Sequence, residues 1–283
     1  MTPDERSADD VEGRRWLAES GIDAWVGRWL EAATVLVVLT ALVAGGVTIG
    51  WRPARTVTFA GWIGFAVAVV VIVAGVTIER TARGGASEPL TIASWITLAR
   101  GAILACFVGV LGSIATAPGS GVEMLMGGGV ATGTAPLGWL PAALFAAAGL
   151  LDGVDGTVAR RASTETDLGA RLDTELDALT TLVGTVAVVA LGAASIAVLA
   201  VGAARYLYAG SLWWRRRQGR PVRDLPSSRV RAGVSAAVLL GIWLALAPIT
   251  TAEQSVLLTT AVAVPFLANF LWDWLVVTTR VSR

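Results

Sequence analysis

The chain contains no histidine and no lysine, so all 22 of its basic residues are arginine. It has one cysteine and two tyrosines. These absences narrow the chemistry. No imidazole base or ligand is available, no lysine Schiff base can form, and one thiol cannot build a thiolate cluster. Cys106 sits in an apolar run and reads as a small core or lipid-facing residue. Acid–base or metal chemistry therefore falls to carboxylates, with Tyr206 and Tyr208 as remote seconds. Charge of either sign is scarce too: 15% of the 283 residues are charged, against about 25% in a soluble domain. The net charge of +1 offers no argument for a nucleic-acid partner, and none is expected.

What fills the space is apolar, 55% of the chain, in runs that approach or exceed the roughly 20 residues a helix needs to cross a bilayer. The expected class is an all-α polytopic membrane protein of about eight spans. Residues 1–30 are polar and then amphipathic, with Trp16, Trp25 and Trp29 among Arg14, Arg15 and Arg28, and read as a cytoplasmic or interfacial segment. They lack the uninterrupted apolar core of a signal peptide. Residues 31–78 form a helix pair, with spans at about 33–50 and 59–78. The body, 79–283, follows with spans at about 96–117, 137–160, 169–191, 196–213, 232–247 and 255–277.

Arginine sets the orientation. The N-terminal segment, the Arg80 loop, the loop with Arg160, Arg161 and Arg171, the run from Arg215 to Arg231 and the C-terminus are basic, whereas connectors 118–134, 192–195 and 248–254 have no arginine. The positive-inside rule puts both termini and the Asp-rich helix ends in the cytoplasm of a multi-pass cell-membrane protein, although Arg52 and Arg55 dissent. Trp51, Trp95, Trp139, Trp213 and Trp214 fall at span ends and read as interfacial anchors. Arg100, one turn inside the third span, is placed to snorkel to the interface.

The stretch DGVDGTVARRASTETDLGARLDTELD, Asp152 to Asp177, stands out from this background. Asp152 and Asp155 are spaced i, i+3 and Asp173 and Asp177 i, i+4, so each pair shares a helix face. One charge at the centre of a spanning helix costs about 2.5–3.5 kcal/mol on insertion scales. Four carboxylates near one depth need compensation, and hard divalent cations with oxygen ligands supply it. Gly153, Gly156 and Ala159 keep one face small, and Gly169 does the same at the start of the next helix. Arg160 offers planar, bidentate geometry for a phosphate oxygen. Small residues beside carboxylates and an arginine suggest a nucleotide or phosphate ligand.

The stretch resembles the CDP-alcohol phosphatidyltransferase family, whose signature D-x2-D-G-x2-A-R-x8-G-x3-D-x3-D is filled by Asp152, Asp155, Gly156, Ala159, Arg160, Gly169, Asp173 and Asp177. Ser94, Thr97 and Arg100 match the family's Asn-x2-Thr-x2-Arg element, with serine in place of asparagine. The resemblance implies a six-helix core from about residue 90 to 280, with the N-terminal helix pair outside it. It implies transfer of the phosphatidyl or archaetidyl group of a CDP-linked lipid to a polar alcohol, with release of CMP. The implied metal ligands are Asp152, Asp155, Asp173 and Asp177 around Mg2+ or Mn2+, two ions in all, with Asp177 also the catalytic base. Gly156, Ala159, Arg160, Gly169, Thr97 and Arg100 are implied nucleotide and diphosphate contacts. Arg205, Arg229 and Arg231 are candidate acceptor contacts. The expected partners are CDP-diacylglycerol or an archaeal equivalent, a small polar alcohol, membrane lipid and a second copy in a homodimer.

Two other readings stay open on the residues alone. An intramembrane prenyltransferase also places Asp-rich metal sites on diphosphates, but lacks this Gly-Ala-Arg spacing. A divalent-cation transporter uses acidic residues or broken helices near midplane in several spans, whereas here the acids crowd at one end of one helix pair.

Overall fold

The computed structural model describes residues 3–51, 53, 55–84, 89–115, 138–162, 166–222 and 229–278, with the side chains of 3–24, 154–162 and 229 left undescribed. Among these residues the secondary structure is helical, without strands: α1 (Pro3–Gly50), α2 (Thr56–Arg83), α3 (Ile92–Ala115), α4 (Leu140–Ala162), α5 (Asp167–Ala190), α6 (Leu199–Arg217), α7 (Arg229–Leu246) and α8 (Ala252–Thr278). A 3-10 turn, Ile196–Val198, leads into α6. Among the described residues five stretches are long and apolar enough to cross a bilayer: Trp25–Gly50, Thr56–Arg83, Ile92–Ala115, Ile196–Arg217 and Ala252–Thr278. The apolar parts of α4 and α7 are shorter, Leu140–Gly153 and Val230–Leu246. The chain is thus an all-α, multi-pass membrane protein.

Helix ends depart from the sequence expectation in an interpretable way. The N-terminal segment and the first span form one helix, without a break between them. Gly21 and Gly27 lie inside it, and an isolated glycine costs a helix only about 1 kcal/mol. α2 runs on to Arg83 and α6 to Arg217, each with arginines in its last turn. Cations there meet the negative end of the helix dipole, so these helices outlast their apolar cores.

The chain divides into two compact units, and α2, α3, α4 and α5 each contribute to both. The first comprises Met1–Arg52, Ile63–Cys106 and Leu150–Leu176. Its core gathers Ala32, Ala74, Ile78, Leu98, Leu168 and Leu172, with Trp25, Trp29, Val35 and Leu90 against it. Gly75 lets α1 and α2 close up. The Trp29 indole lies over it and donates Nε1–H to the Val71 carbonyl at 3.0 Å. A Cβ at Gly75 would sit 2.7 Å from that nitrogen.

The second unit comprises Pro53–Trp62, Phe107–Gly149 and Asp177–Arg283. Phe107 and Phe145 meet with centroids 5.7 Å apart, and Gly184 and Gly202 let neighbouring helices approach. A Cβ at Gly202 would lie 2.8 Å from the Leu182 backbone and 2.3 Å from the Thr185 hydroxyl. Polar contacts tie α6 and α7 to α8. Trp274 donates to the Ser211 hydroxyl at 3.0 Å, and Arg215 donates to the Thr278 carbonyl at 2.7 Å. Arg231 donates Nε–H to Asp273 at 2.9 Å. Asp273 is buried, 4% exposed, and also accepts from Asn269 at 3.2 Å.

Candidate active site

The site is built on α5. Leu168, Leu172 and Leu176 recur at four-residue spacing and are buried to 2%, 1% and 1% exposure. Their row fixes the rotation of the helix about its axis. The neighbouring row, one residue later, is Gly169, Asp173 and Asp177, so the leucines aim the carboxylates. Thr166 starts the helix: its hydroxyl accepts from the Gly169 N–H at 3.0 Å, satisfying one of the donors a helix start leaves open. A Cβ at Gly169 would lie 3.0 Å from that hydroxyl and 3.5 Å from Ser94 Oγ.

α3 brings the counter-charge. Thr91 and Ser94 exchange backbone-to-hydroxyl contacts at 3.4 Å across its first turn, in the manner of a capping box. Ser94, where the family element has asparagine, thus serves the helix start. Thr97 is buried and donates to the Ala93 carbonyl at 3.0 Å. Arg100 corrects the snorkelling expectation. Its side chain is 1% exposed and turns inward, where Nη1 contacts Oδ1 of both Asp152 and Asp173, the latter at 3.1 Å. Nη2 donates to the Asp173 main-chain carbonyl at 3.1 Å. A buried guanidinium is tolerated where carboxylates meet it, and two acids within reach explain why it does not climb to the interface.

Asp152 on α4 and Asp173 on α5 each offer a carboxylate oxygen in a group that spans no more than 4.8 Å. α5 runs unbroken beyond Asp173, and Asp177, one turn on and exposed, belongs to the same group. Asp155, Gly156, Ala159 and Arg160 lie on the helical backbone of α4, but their side chains are outside the described residues. Arg229 is likewise outside them. Arg205 is exposed on α6, and Arg231 is the partner of Asp273.

The family comparison bears on this geometry directly. The model of the CDP-alcohol phosphatidyltransferase family matches residues 90–279, about two thirds of the chain. The chain belongs to that family. Neither the curated proteins nor the solved structures compared with it gave a match. As a CDP-alcohol phosphatidyltransferase it is a transferase of phospholipid biosynthesis, acting in a family that uses CDP-alcohol donors and alcohol acceptors and is metal-dependent in general. Its matched region begins at the residue before Thr91 and contains Arg100 and the whole Asp stretch, while α1 and α2 precede it.

The carboxylates of this phosphatidyltransferase fit a hard divalent cation. They are anionic oxygen donors, and oxygens on opposite sides of an ion bound at about 2.1 Å are roughly 4.2 Å apart. A group within 4.8 Å is close to that span. Part of this arrangement escaped sequence reasoning. Position in the sequence gave Arg100 its depth in the span but not its direction, although an arginine inside an apolar helix is itself a signal that carboxylates lie near. The Arg231–Asp273–Asn269 group also escaped, because Arg231 was expected in a loop and lies in the first turn of α7.

Proposed function

We propose that this phosphatidyltransferase moves the phosphatidyl or archaetidyl group of a CDP-linked lipid to a small polar alcohol, with CMP as the leaving group. The observation that carries the reading is the convergence of Asp152, Asp173 and Asp177 within the family-matched region. Asp152, Asp155, Asp173 and Asp177 would hold Mg2+ or Mn2+, two ions in all. Bound there, the metal neutralises diphosphate charge, and phosphoryl transfer depends mainly on such neutralisation and on positioning.

The chain's own residues do the rest. In this reading Gly156, Ala159, Gly169 and Arg160 are the nucleotide and diphosphate contacts, the buried Thr97 and Arg100 support the site from α3, and Asp177 takes the proton of the acceptor hydroxyl. Asp177 suits that task because it is exposed at the end of the carboxylate row, and no histidine exists to compete for it. The acceptor oxygen forms its bond to the lipid-bearing phosphorus as the bond to the CMP oxygen breaks. Arg205, Arg229 and Arg231 are the candidate acceptor contacts. Residues 79–283 form the catalytic domain, 31–78 an added helix pair and 1–30 an interfacial segment. The site faces the cytoplasm of the cell membrane, where water-soluble acceptors reach it, and the chain works as a homodimer.

The test is CMP release from CDP-diacylglycerol and from an archaeal ether analogue, across serine, glycerol phosphate, inositol, inositol phosphate and ethanolamine. Asp152→Ala and Asp173→Ala should each abolish release while the protein still inserts into membranes. Activity retained in either variant overturns the site assignment, and no release with any pair overturns the reaction.

A further inference from the structure

Arg100 occupies an unusual place for a cation. Its side chain is 1% exposed, whereas those of Asp152 and Asp173 are 39% and 37% exposed. The guanidinium therefore lies on the protein side of the two carboxylates, and their accessible side is the one from which an ion approaches. One fork donates to two acceptors, Oδ1 of Asp152 and the main-chain carbonyl of Asp173, and stands in an ion-pair contact with Oδ1 of Asp173. That pattern ties the Asp152 side chain to the local turn of α5 and sets a positive charge beside the Asp173 carboxylate, which the planar, forked guanidinium allows better than an ammonium would. A Cβ at the adjacent Gly101 would lie 3.2–3.4 Å from side-chain atoms of Val70, Leu36 and Leu176, so the segment of α3 that carries Arg100 is tightly seated.

We propose that Arg100 is a positioning residue and a standing counter-cation that lowers the affinity of the carboxylate site for divalent ions. This rests on the metal reading above and deepens it. Arg100 holds Asp152 and Asp173 side by side and compensates their charge, so an incoming ion binds against a positive charge already in place. Two effects oppose each other when the arginine is removed. Loss of positioning weakens ion binding, because two carboxylates must then be ordered by the ion itself. Loss of the positive charge strengthens it. An ion that took Asp152 and Asp173 as ligands would share them with the guanidinium, which would set the two charges a few ångströms apart, one of them double. Even at an effective dielectric of about 20, that repulsion outweighs the ordering of two short side chains. The charge effect wins, and the ion binds tighter without Arg100. With it, the site binds its ion loosely and keeps its shape between ions.

The experiment uses the full-length protein in detergent, with Mn2+ binding followed by the electron paramagnetic resonance signal of the free ion and thermal unfolding measured in chelator. Arg100→Met should bind Mn2+ about tenfold tighter or more, equivalent to about 1.4 kcal/mol, and should unfold at a lower temperature than the parent in chelator. Arg100→Lys keeps the charge and should stay near the parent in affinity. Arg100→Gln, a polar but neutral side chain, should also bind Mn2+ tighter and serves if the methionine variant does not fold. Binding by the neutral variants that equals or falls below the parent overturns the inference, as does a lysine variant that shifts as far as they do. Asp152→Asn/Asp173→Asn separates the two levels of the argument. If that double variant binds Mn2+ as the parent does, the metal reading itself fails. If it loses binding while Arg100→Met matches the parent, only the role of Arg100 fails.

Discussion

Replacing Asp273 by alanine takes the buried acceptor away from Arg231 and from Asn269 in one step. Removing one partner of a fully buried ion pair costs about 3–5 kcal/mol. Arg231 is 34% exposed, however, and Asp273 is 6% exposed in its side chain, so the stranded arginine in Asp273→Ala recovers part of its hydration. That discount brings the expected cost to about 2 kcal/mol. The reciprocal change, Arg231→Met, takes the cation away from the buried carboxylate, which keeps its hydrogen bond from Asn269, and should cost about 3 kcal/mol. At roughly 2–4 °C per kcal/mol for a chain of this size class, Asp273→Ala should lower the unfolding midpoint by about 4–8 °C, and Arg231→Met by somewhat more. The double variant should recover much of the loss, with a coupling energy of about 1–3 kcal/mol. The assay is the fraction of protein that stays monodisperse on size-exclusion chromatography after heating in detergent. Strictly additive losses would refute the pairing, and a milder loss for Arg231→Met than for Asp273→Ala would refute the order of burial.

Other outcomes follow from the packing and the site. Chelator should abolish CMP release, and added Mn2+ or Mg2+ should restore it; release that survives exhaustive chelation would contradict the metal reading. Gly202→Val has no room beside Leu182 and Thr185 and should cost about 1–3 kcal/mol, read as a lower midpoint in the same heating assay. Leu172→Ala should cost about 2–5 kcal/mol as a core truncation. It should also reduce turnover, because the leucine row sets the direction of Asp173; a loss of stability with unchanged turnover would separate the two roles.

Much of this organisation was legible in the residues, and the exceptions have physical reasons. Apolar runs gave the helices because a bilayer demands length and composition, and both are linear properties of the chain. Helix ends were less legible: arginine-bearing last turns at Arg83 and Arg217 stay helical after the apolar pattern stops. The carboxylate group was legible because i, i+4 spacing sets Asp173 and Asp177 on one face, and because eight positions matched one signature. The inward turn of Arg100 was not legible. A side chain near a span end can reach either water or a buried acid, and only the rotation of α3 about its axis decides between them. The Asp273 contact with Arg231 is hidden for a related reason: α7 starts at Arg229, three residues before the apolar run at about 232 that marks the span in the sequence.

The leucine row beside the carboxylate row on α5 has a consequence for how this segment can change length. Each added or deleted residue turns the rest of a helix by about 100°. One insertion between Asp173 and Asp177 would send the second carboxylate toward a different neighbour and disturb the register of everything after it. Substitutions on the exposed positions Thr174 and Arg171 leave that register untouched. The segment from Leu168 to Asp177 should therefore accept many changes of letter and no change of count, and a library of single-residue insertions scanned through it should mark out the site as a run of inactive, length-altered variants.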